Sequence, residues 1–317
     1  MQPVISLLIV TSNRKDSLFR TLSAMVPLLL PEHEIIVFDN GSTDGTAAAV
    51  AQHFPGIDLI TQSTGIPYMA ARNRLLKVAR GEFAVSLDDD AEIVTPGFVA
   101  NILDHFKEYP QCGVLTFSIF WGEQLPSAIQ PNHEPPRRVS SFVGCGHAWR
   151  MTAWRSIREY PEWFEFYGEE DFASLDLLKR NWSVHYLPRV LVHHRVNMAK
   201  RKADEAQRLW RYSRQLRGGI FVLLLFYPLR VLPVRLAYAF WTQVRLRLIK
   251  ERDWGVVRRL MWVVKEILRN IPQILRMRAP LNGSQWREWN ELPPAVIYWV
   301  PGVNGTGHDA APTEICN

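Results

Sequence analysis

Short apolar runs alternate with amphipathic stretches over residues 1–200 of this chain, and this alternation constrains the fold more than any other feature. Val4–Thr11, Glu34–Asp39 and Phe83–Leu87 have the length and composition of buried strands. Arg14–Leu29 and Met69–Ala79 have the spacing of helices. The pattern predicts an α/β fold, a mainly parallel sheet flanked by helices, whose ligand-binding edge is formed by the loops that follow the strands.

The composition fits one large hydrophobic core with a smaller module attached. The chain has 317 residues, of which 47% are hydrophobic, and a chain of this size can bury such a core. Cys112, Cys145 and Cys316 show neither CxxC nor Cys/His spacing, so we expect a reducing compartment, no disulfide framework and no structural zinc site. Residues 1–10 lack the features of a signal peptide and read as a strand, which favours a cytoplasmic protein.

Charge is distributed unevenly along the chain. The net formal charge is +6, but the stretch from Arg195 to Arg278 contains 20 lysines and arginines against five acidic residues, so it carries +15 and the remainder −9. An acidic catalytic part joined to a basic tail predicts that the tail faces an anionic surface. Nucleic acid fits less well as a partner, because apolar runs interrupt the basic residues and no nucleic-acid-binding motif accompanies them.

The basic tail has the composition of helices that lie at a membrane surface. The apolar run Gly218–Tyr227 meets Pro228 and Arg230 well before the roughly 20 apolar residues that a membrane-spanning helix needs. Leu236–Leu248 and Trp254–Leu275 combine tryptophan with arginine, which is typical of an amphipathic helix at the headgroup boundary. The alternative is a helical cap that packs its apolar face on the catalytic domain.

These patterns divide the chain into three parts. We expect a sheet domain over residues 1–200, made of two halves, 1–95 and 96–200. A basic, amphipathic helical region that associates with membranes follows over 201–280. The last part, 281–317, is rich in Pro, Gly and Asn and is expected to be irregular.

Three adjacent carboxylates, Asp88, Asp89 and Asp90, follow the predicted strand Phe83–Leu87 directly. They therefore lie on a loop at the carboxyl edge of the sheet. Such a group repels itself unless a cation compensates it, and an Asp-x-Asp pair offers the hard oxygen ligands that suit Mg²⁺ or Mn²⁺. Taken alone, the triplet is also compatible with a solvated acidic turn.

Further motifs appear in order around the triplet. An Asp-Asn-Gly-Ser-Thr-Asp-Gly-Thr loop begins at Asp39, Ala-Arg-Asn at Ala71, Gly-Cys-Gly at Gly144 and Glu-Glu-Asp at Glu169. With these motifs the chain resembles the inverting glycosyltransferases of family 2, which have the GT-A (Rossmann-like) fold, over residues 3–198. The resemblance implies a UDP-, GDP- or dTDP-linked sugar as the donor. It also implies that residues 1–200 are the catalytic domain, with a donor half (1–95) and an acceptor half (96–200).

The resemblance also implies roles in binding the donor. Thr11 and Asp39 are expected to contact the nucleoside, and Arg72 the diphosphate or the sugar. Asp88 is expected to bind the ribose or a metal-bound water, and Asp89 the hydroxyls of the sugar. The alternative for Arg72 is an ordinary arginine on a helix surface.

The same resemblance assigns the metal site to Asp90 and His194, with Mg²⁺ or Mn²⁺ as the cofactor. His193 and His194 follow the predicted strand Pro188–Val192 directly. His193 is the substitute ligand. A lone histidine is more often structural. A pair of histidines at the end of a strand in this context favours a ligand.

On the acceptor side, Asp171 is the expected general base, with Glu170 orienting it or binding the acceptor. Carboxylates before a helix also have a simple explanation as helix-terminal residues, but this explanation covers one acid better than three. His147 and Trp149 follow the Gly-Cys-Gly segment and are candidates for acceptor contact. Trp149 fits a core position equally well.

Together these residues predict a metal-assisted, inverting transfer of a sugar to a hydroxyl of a membrane lipid or lipid-linked glycan. The enzyme would act while bound peripherally to the cytoplasmic face of the membrane. One alternative is a polyprenyl-phosphate glycosyl synthase, in which a phosphate acceptor needs no base. The other is a non-catalytic membrane-bound protein that binds nucleotide sugars, against which the presence of Asp90 and Asp171 argues.

Overall fold

The computed structural model describes residues 3–30, 32–125, 134–197 and 203–295. Strands within these ranges form one nine-stranded sheet. In chain order they are β1 Ile5–Thr11, β2 Glu34–Asp39, β3 Asp58–Thr61, β4 Phe83–Asp88, β5 Ala91–Ile93, β6 Cys112–Trp121, β7 Arg137–Val139, β8 Gly146–Arg150 and β9 Ser183–His194.

The helices of the described residues flank this sheet and continue beyond it. Short helical turns at Val26–Leu28 and Glu162–Phe164 and a π-helical segment at Val244–Lys250 accompany the α-helices. The α-helices are α1 Lys15–Met25, α2 Thr46–His53, α3 Tyr68–Val78, α4 Phe98–Glu108, α5 Met151–Ser156, α6 Glu169–Lys179, α7 Glu205–Phe226, α8 Leu232–Gln243, α9 Gly255–Arg269, α10 Ile271–Met277 and α11 Gly283–Glu291.

The sheet has the order β3-β2-β1-β4-β8-β6-β9-β5, with β7 also paired to β9. Strands β3, β2, β1 and β4 are mutually parallel, and β8 is inserted antiparallel between β4 and β6. Strands β6 and β9 are again parallel. The predicted α/β fold is confirmed, and its parallel half brings the ends of β1, β2 and β4 to one edge.

Successive residues of β1 point to opposite faces of the sheet, so each face has its own hydrophobic layer. Leu8 belongs to the layer with Phe38 and Leu75 of α3. Leu7 belongs to the layer with Leu22 of α1. The first strand is thus buried on both sides, which explains its continuous apolar sequence.

Three strands were missed by the sequence analysis: β5, β7 and β8. Each is short, with three to five residues, and gives no periodic signal of its own. The predicted strand Pro188–Val192 is part of one longer strand, β9, whose pairing to β6 is irregular before Leu191.

The expectation that the chain is irregular from residue 281 is wrong for its first part. Helix α11 spans Gly283–Glu291 and begins with a capping box, in which the Asn282 side chain accepts from backbone N–H groups and the Gln285 side chain reaches back to Asn282. The polar Asn-x-x-Gln pattern is the signal that marks this helix start. Residues 296–317 lie outside the described part of the chain.

The region after residue 203 shares a core with the catalytic domain. Phe221 and Phe226 of α7 are fully buried and contact Phe164 and Phe172. The predicted apolar run Gly218–Tyr227 is therefore the buried end of a helix that caps the sheet domain. None of the helices in the described ranges is long and apolar enough to cross a membrane.

Candidate active site

The predicted donor residues meet at the carboxyl edge of the parallel strands. Thr11 at the end of β1 is in register with Asp39 at the end of β2, and Val10 is in register with Asp88 of β4. Parallel strands in register end at the same edge, so three residues far apart in sequence become neighbours.

The loop after β2 surrounds Asp39, which is buried. Its Oδ1 accepts the backbone N–H of Ser42 at 3.0 Å. Gly41 has φ = 77°, and a Cβ there would lie 2.6 Å from the backbone nitrogen of Gly65, so only glycine fits. The Asn40 side chain bonds both backbone groups of Ile66 and fastens the two loops together.

Asp88, Asp90 and His194 form a possible metal site. One ligand atom from each lies within 4.8 Å of the others. His194 Nε2 is 3.1 Å from Asp90 Oδ1 and 3.9 Å from Asp88 Oδ2. Two carboxylates and an imidazole are donors that suit Mg²⁺ or Mn²⁺.

Positive charge compensates these carboxylates. Burial opposes ionisation of Asp90, but His194 and Arg14 outweigh it and hold the pKa of Asp90 well below its usual range. Burial likewise opposes protonation of His194, but Cys145 and Asp90 outweigh it and raise the pKa of His194 to about 10. The site therefore retains a positive charge between the two carboxylates.

Strand alternation separates the two histidines that end β9. His194 faces the acidic triplet, whereas His193 is buried and bonds Glu92 at 3.2 Å and the Gly122 carbonyl at 2.8 Å. In this arrangement His193 cannot substitute for His194 without a rearrangement of the strand.

Asp89 lies outside the group formed by Asp88, Asp90 and His194, although Arg14 contacts both Asp89 and Asp90. Its Oδ2 accepts from Thr11 Oγ1 at 2.8 Å, and its Oδ1 pairs with Arg14 at 3.0 Å. Burial raises the pKa of Asp89 to about 7, although Arg14 opposes the shift. Thr11 and Asp89 thus bind each other, and protein donors occupy both oxygens of Asp89.

Arg72 connects the acidic triplet to the acceptor side. It is buried, and its Nη2 donates to Asp88 Oδ1 at 3.1 Å and to the Gly144 carbonyl at 2.6 Å. Its buried Nη1 has no hydrogen-bond partner in the described structure. A buried guanidinium nitrogen without a partner is costly unless a ligand completes it, and an anionic group such as phosphate would do so.

The acidic motif occupies the first turn of α6. Glu169 is buried, while Glu170 and Asp171 are half-buried. A Cβ on Gly144 would lie 2.3 Å from Glu170 Oε1, so the glycine makes room for this carboxylate. Burial raises the pKa of Asp171, and a hydrogen bond with Ser141 opposes the shift.

The turn that leads into α6 is strained and is held by α7. Glu165, Tyr167 and Gly168 have φ of 61°, 69° and 92°. Arg217 of α7 is buried and donates to the Phe164 carbonyl, and it pairs with Glu165 at 3.1 Å. Non-glycine residues with positive φ persist only where surrounding contacts hold them.

Sequence reasoning missed the role of Arg217 and its neighbour Gly218. The available signal was a pair of glycines inside an otherwise helical stretch, which suggests a close packing contact. Gly218 makes that contact: a Cβ there would lie 2.5 Å from the Tyr167 carbonyl oxygen.

His147 and Trp149, predicted to contact the acceptor, lie in the core instead. Both are fully buried on β8. His147 Nδ1 is 3.2 Å from the Val143 carbonyl, and Trp149 packs edge-to-face on Trp154. Phe142 also packs on both rings, so neither side chain offers a surface to an acceptor in this structure.

Comparison with known proteins agrees with this geometry. Residues 6–152 match the family model described as Glycosyl transferase family 2. The N-acetylglucosaminyl-diphospho-decaprenol L-rhamnosyltransferase of Mycobacterium tuberculosis (strain CDC 1551 / Oshkosh) is 25% identical over 244 residues, which cover 63% of this chain and 79% of that protein.

Solved structures show the same fold at low sequence identity. The mannosyltransferase PcManGT from Pyrobaculum calidifontis, in complex with GDP-Man and Mn²⁺, superposes with a TM-score of 0.54 at 18% identity, covering 86% of this chain and 76% of that one. S. aureus TarS 1-349 in complex with UDP gives 0.52 at 18% identity, covering 70% of this chain and 65% of that one. The match over residues 6–152 therefore identifies a family 2 glycosyltransferase domain in this chain, and the solved structures show that its fold is GT-A.

Proposed function

We propose that this enzyme transfers a sugar from a nucleotide-diphosphate sugar to a hydroxyl of a lipid-linked glycan or membrane lipid, with inversion at the anomeric carbon. The observation that carries the proposal is the convergence of Asp39, Asp88, Asp90 and His194 at one sheet edge, with Arg72 leading from Asp88 toward Glu170. Donor-binding and acceptor-binding groups thereby share one cleft.

The donor would lie along the ends of β1, β2 and β4. Asp39 would accept a hydrogen bond from the nucleoside, and the unpartnered Nη1 of Arg72 would meet the diphosphate. Thr11 and Asp89 would act less directly, because they bond each other. Their role in this proposal is to fix the loop that carries Asp88 and Asp90.

Asp88, Asp90 and His194 would hold a divalent cation, Mg²⁺ or Mn²⁺. The fit rests on the donor set, two carboxylates and one imidazole whose ligand atoms lie within 4.8 Å of one another. When bound, such an ion supplies Lewis-acid stabilisation of the leaving diphosphate. The M. tuberculosis relative and PcManGT support the two ends of the reaction: the name of the first specifies a decaprenol-linked substrate, and the second is described with GDP-Man and Mn²⁺.

Asp171 would act as the general base. It would take the proton of the acceptor hydroxyl while the acceptor oxygen forms its bond to the anomeric carbon. The bond from that carbon to the diphosphate oxygen breaks in the same step, and its electron pair leaves with the nucleoside diphosphate. Burial raises the pKa of Asp171 and so makes it a stronger base than an exposed carboxylate.

An exposed apolar stripe on α9 and α10 supports binding to a membrane surface. Its members recur every three or four residues and include Met261, Leu268 and Leu275, which are 61%, 62% and 69% exposed. Exposed basic residues, Arg258, Lys265, Arg269 and Arg276, follow the stripe. An apolar helix face with basic flanks matches the interface of an anionic membrane, so we place the enzyme at the cytoplasmic face.

The test is a thermal-shift screen of UDP-, GDP- and dTDP-linked sugars with Mn²⁺ or Mg²⁺. We expect one nucleotide class to raise the Tm in the presence of the cation and not in the presence of EDTA. Transfer to a polyprenol-diphosphate-linked sugar is then assayed with that donor. Transfer that survives Asp171→Asn would favour a phosphate acceptor, and binding without transfer to any acceptor would favour a non-catalytic role.

A further inference from the structure

A second group of potential metal ligands lies at the other end of β6 and β9. His105 near the end of α4, Cys112 at the start of β6 and His185 near the start of β9 are all buried. One ligand atom of each lies within 4.8 Å of the others. We propose that these three side chains bind a zinc ion, which is a site separate from the acidic triplet.

The geometry needs only a small adjustment to admit the ion. His105 Nε2 and His185 Nδ1 are 3.0 Å apart. Tetrahedral zinc with Zn–N bonds of about 2.0–2.1 Å places two nitrogen ligands about 3.3 Å apart. The two rings would therefore separate by a few tenths of an ångström, and the hydrogen bond between them would be replaced by two coordinate bonds.

The neighbouring groups already orient the ligands. Ser183 Oγ lies 3.0 Å from His185 Nε2, which leaves Nδ1 as the nitrogen that faces the cluster. A metal-bound histidine usually has its other nitrogen held in this way. The 3.0 Å contact between His105 Nε2 and His185 Nδ1 places both of these nitrogens inside the cluster.

The donor set selects a different metal from the acidic site. One thiol and two imidazoles are borderline-soft ligands that suit zinc, whereas Asp88 and Asp90 offer the hard oxygens preferred by Mg²⁺. Cys112 would bind as the thiolate, and its proton would be released to solvent on binding.

The position indicates a structural function. Cys112 and Trp121 are the first and last residues of β6, and Trp121 is paired with His194, so the cluster lies about 30 Å along the strand from the proposed active site. The ion would tie the end of α4 to the starts of β6 and β9. It would therefore contribute to stability rather than to sugar transfer.

The test is cobalt binding by the full chain after treatment with EDTA. We expect one Co²⁺ per chain to give a thiolate-to-cobalt charge-transfer band in the near ultraviolet, whether or not further Co²⁺ binds at the acidic site. Cys112→Ser should abolish the band. Cys145→Ser is the matched control, because Cys145 lies beside His194 and would be the source of a thiolate band at the acidic site.

Zinc content and stability give the second measurement. Enzyme purified without chelators should contain zinc, and Zn²⁺ should raise the Tm of the metal-free wild type and of Cys145→Ser, but not of His185→Gln. The zinc-dependent change in Tm still tests the proposal if Cys112→Ser fails to fold. The absence of a thiolate band in the wild type, or a band unchanged by Cys112→Ser, would show that the two histidines are simply a hydrogen-bonded core pair.

Discussion

Gly218 of α7 packs directly against Gly168, the residue that precedes the helix carrying Asp171. A Cβ on Gly168 would lie 3.1 Å from the Cα of Gly218. Helix α7 therefore forms part of the support for the proposed base, although it lies in the region that the sequence analysis assigned to membrane association.

This contact predicts opposite outcomes for two adjacent glycines. Gly218→Ala should destabilise the protein by about 1–3 kcal/mol, because its Cβ would overlap the Tyr167 backbone. Gly219→Ala is the control: nothing lies within 4 Å of its Cβ, so alanine should stabilise α7 by about 0.5–1 kcal/mol. Urea denaturation measures both. Equal effects would show that α7 does not pack as described.

Arg217 is predicted to be the dominant ionic contact of this region. Its side chain is 1% exposed and pairs with Glu165 and with the largely buried Glu266. Arg217→Met should cost about 3 kcal/mol of unfolding free energy, because it leaves Glu266 and the Phe164 carbonyl without their donor.

Glu165→Gln is the matched control for that variant. Glu165 is 54% exposed, so its loss should cost at most about 1 kcal/mol. If the control were the more destabilising of the two, the buried pair with Glu266 would not be what holds α7 in place.

Asp171→Asn is predicted to lower kcat by about 10²–10⁴-fold, because the amide cannot accept the proton of the acceptor. The Tm shift given by the nucleotide sugar should be unchanged. In the wild type, kcat should fall as the pH drops through the pKa of Asp171, since only the ionised form is a base. Burial raises that pKa, so the acid limb should lie above the ordinary aspartate value of about 3.9.

Asp90→Asn and Asp89→Asn should separate the two kinds of carboxylate in the triplet. Asp90 is close to His194, so its amide should remove the Mn²⁺-dependent part of the nucleotide-sugar Tm shift. Asp89 bonds Thr11 and Arg14, so its amide should lower the stability of the free enzyme and retain the Mn²⁺ dependence. The reverse pattern would place Asp89 at the metal.

Leu268→Glu is predicted to weaken binding to vesicles of anionic lipid in co-sedimentation, because it places a negative charge within the apolar stripe. Leu268 is 62% exposed, so the fold should be unaffected. Leu30→Glu is the control, since Leu30 is 60% exposed but lies on the catalytic domain. Identical binding by the two variants would show that the stripe does not face the membrane.

The sequence by itself determined the strands that carry the donor side of the site. Local periodicity gave β1, β2 and β4, and parallel pairing then required Thr11, Asp39 and Asp88 to share one edge. The order of the motifs along the chain then indicated the family 2 glycosyltransferases. These features can be predicted because strand periodicity and sequence motifs each involve residues that are close together in the chain.

Only the tertiary structure decided which side chains face the cleft and which face the core. Trp149 and Asp89 occupy motifs that look functional, but Trp149 packs among core aromatic rings and Asp89 is bound by Thr11. The cluster of His105, Cys112 and His185 has no recognisable spacing, because α4, β6 and β9 meet only after the sheet has formed. Burial and long-range contacts depend on how the elements pack, and no local pattern records that packing.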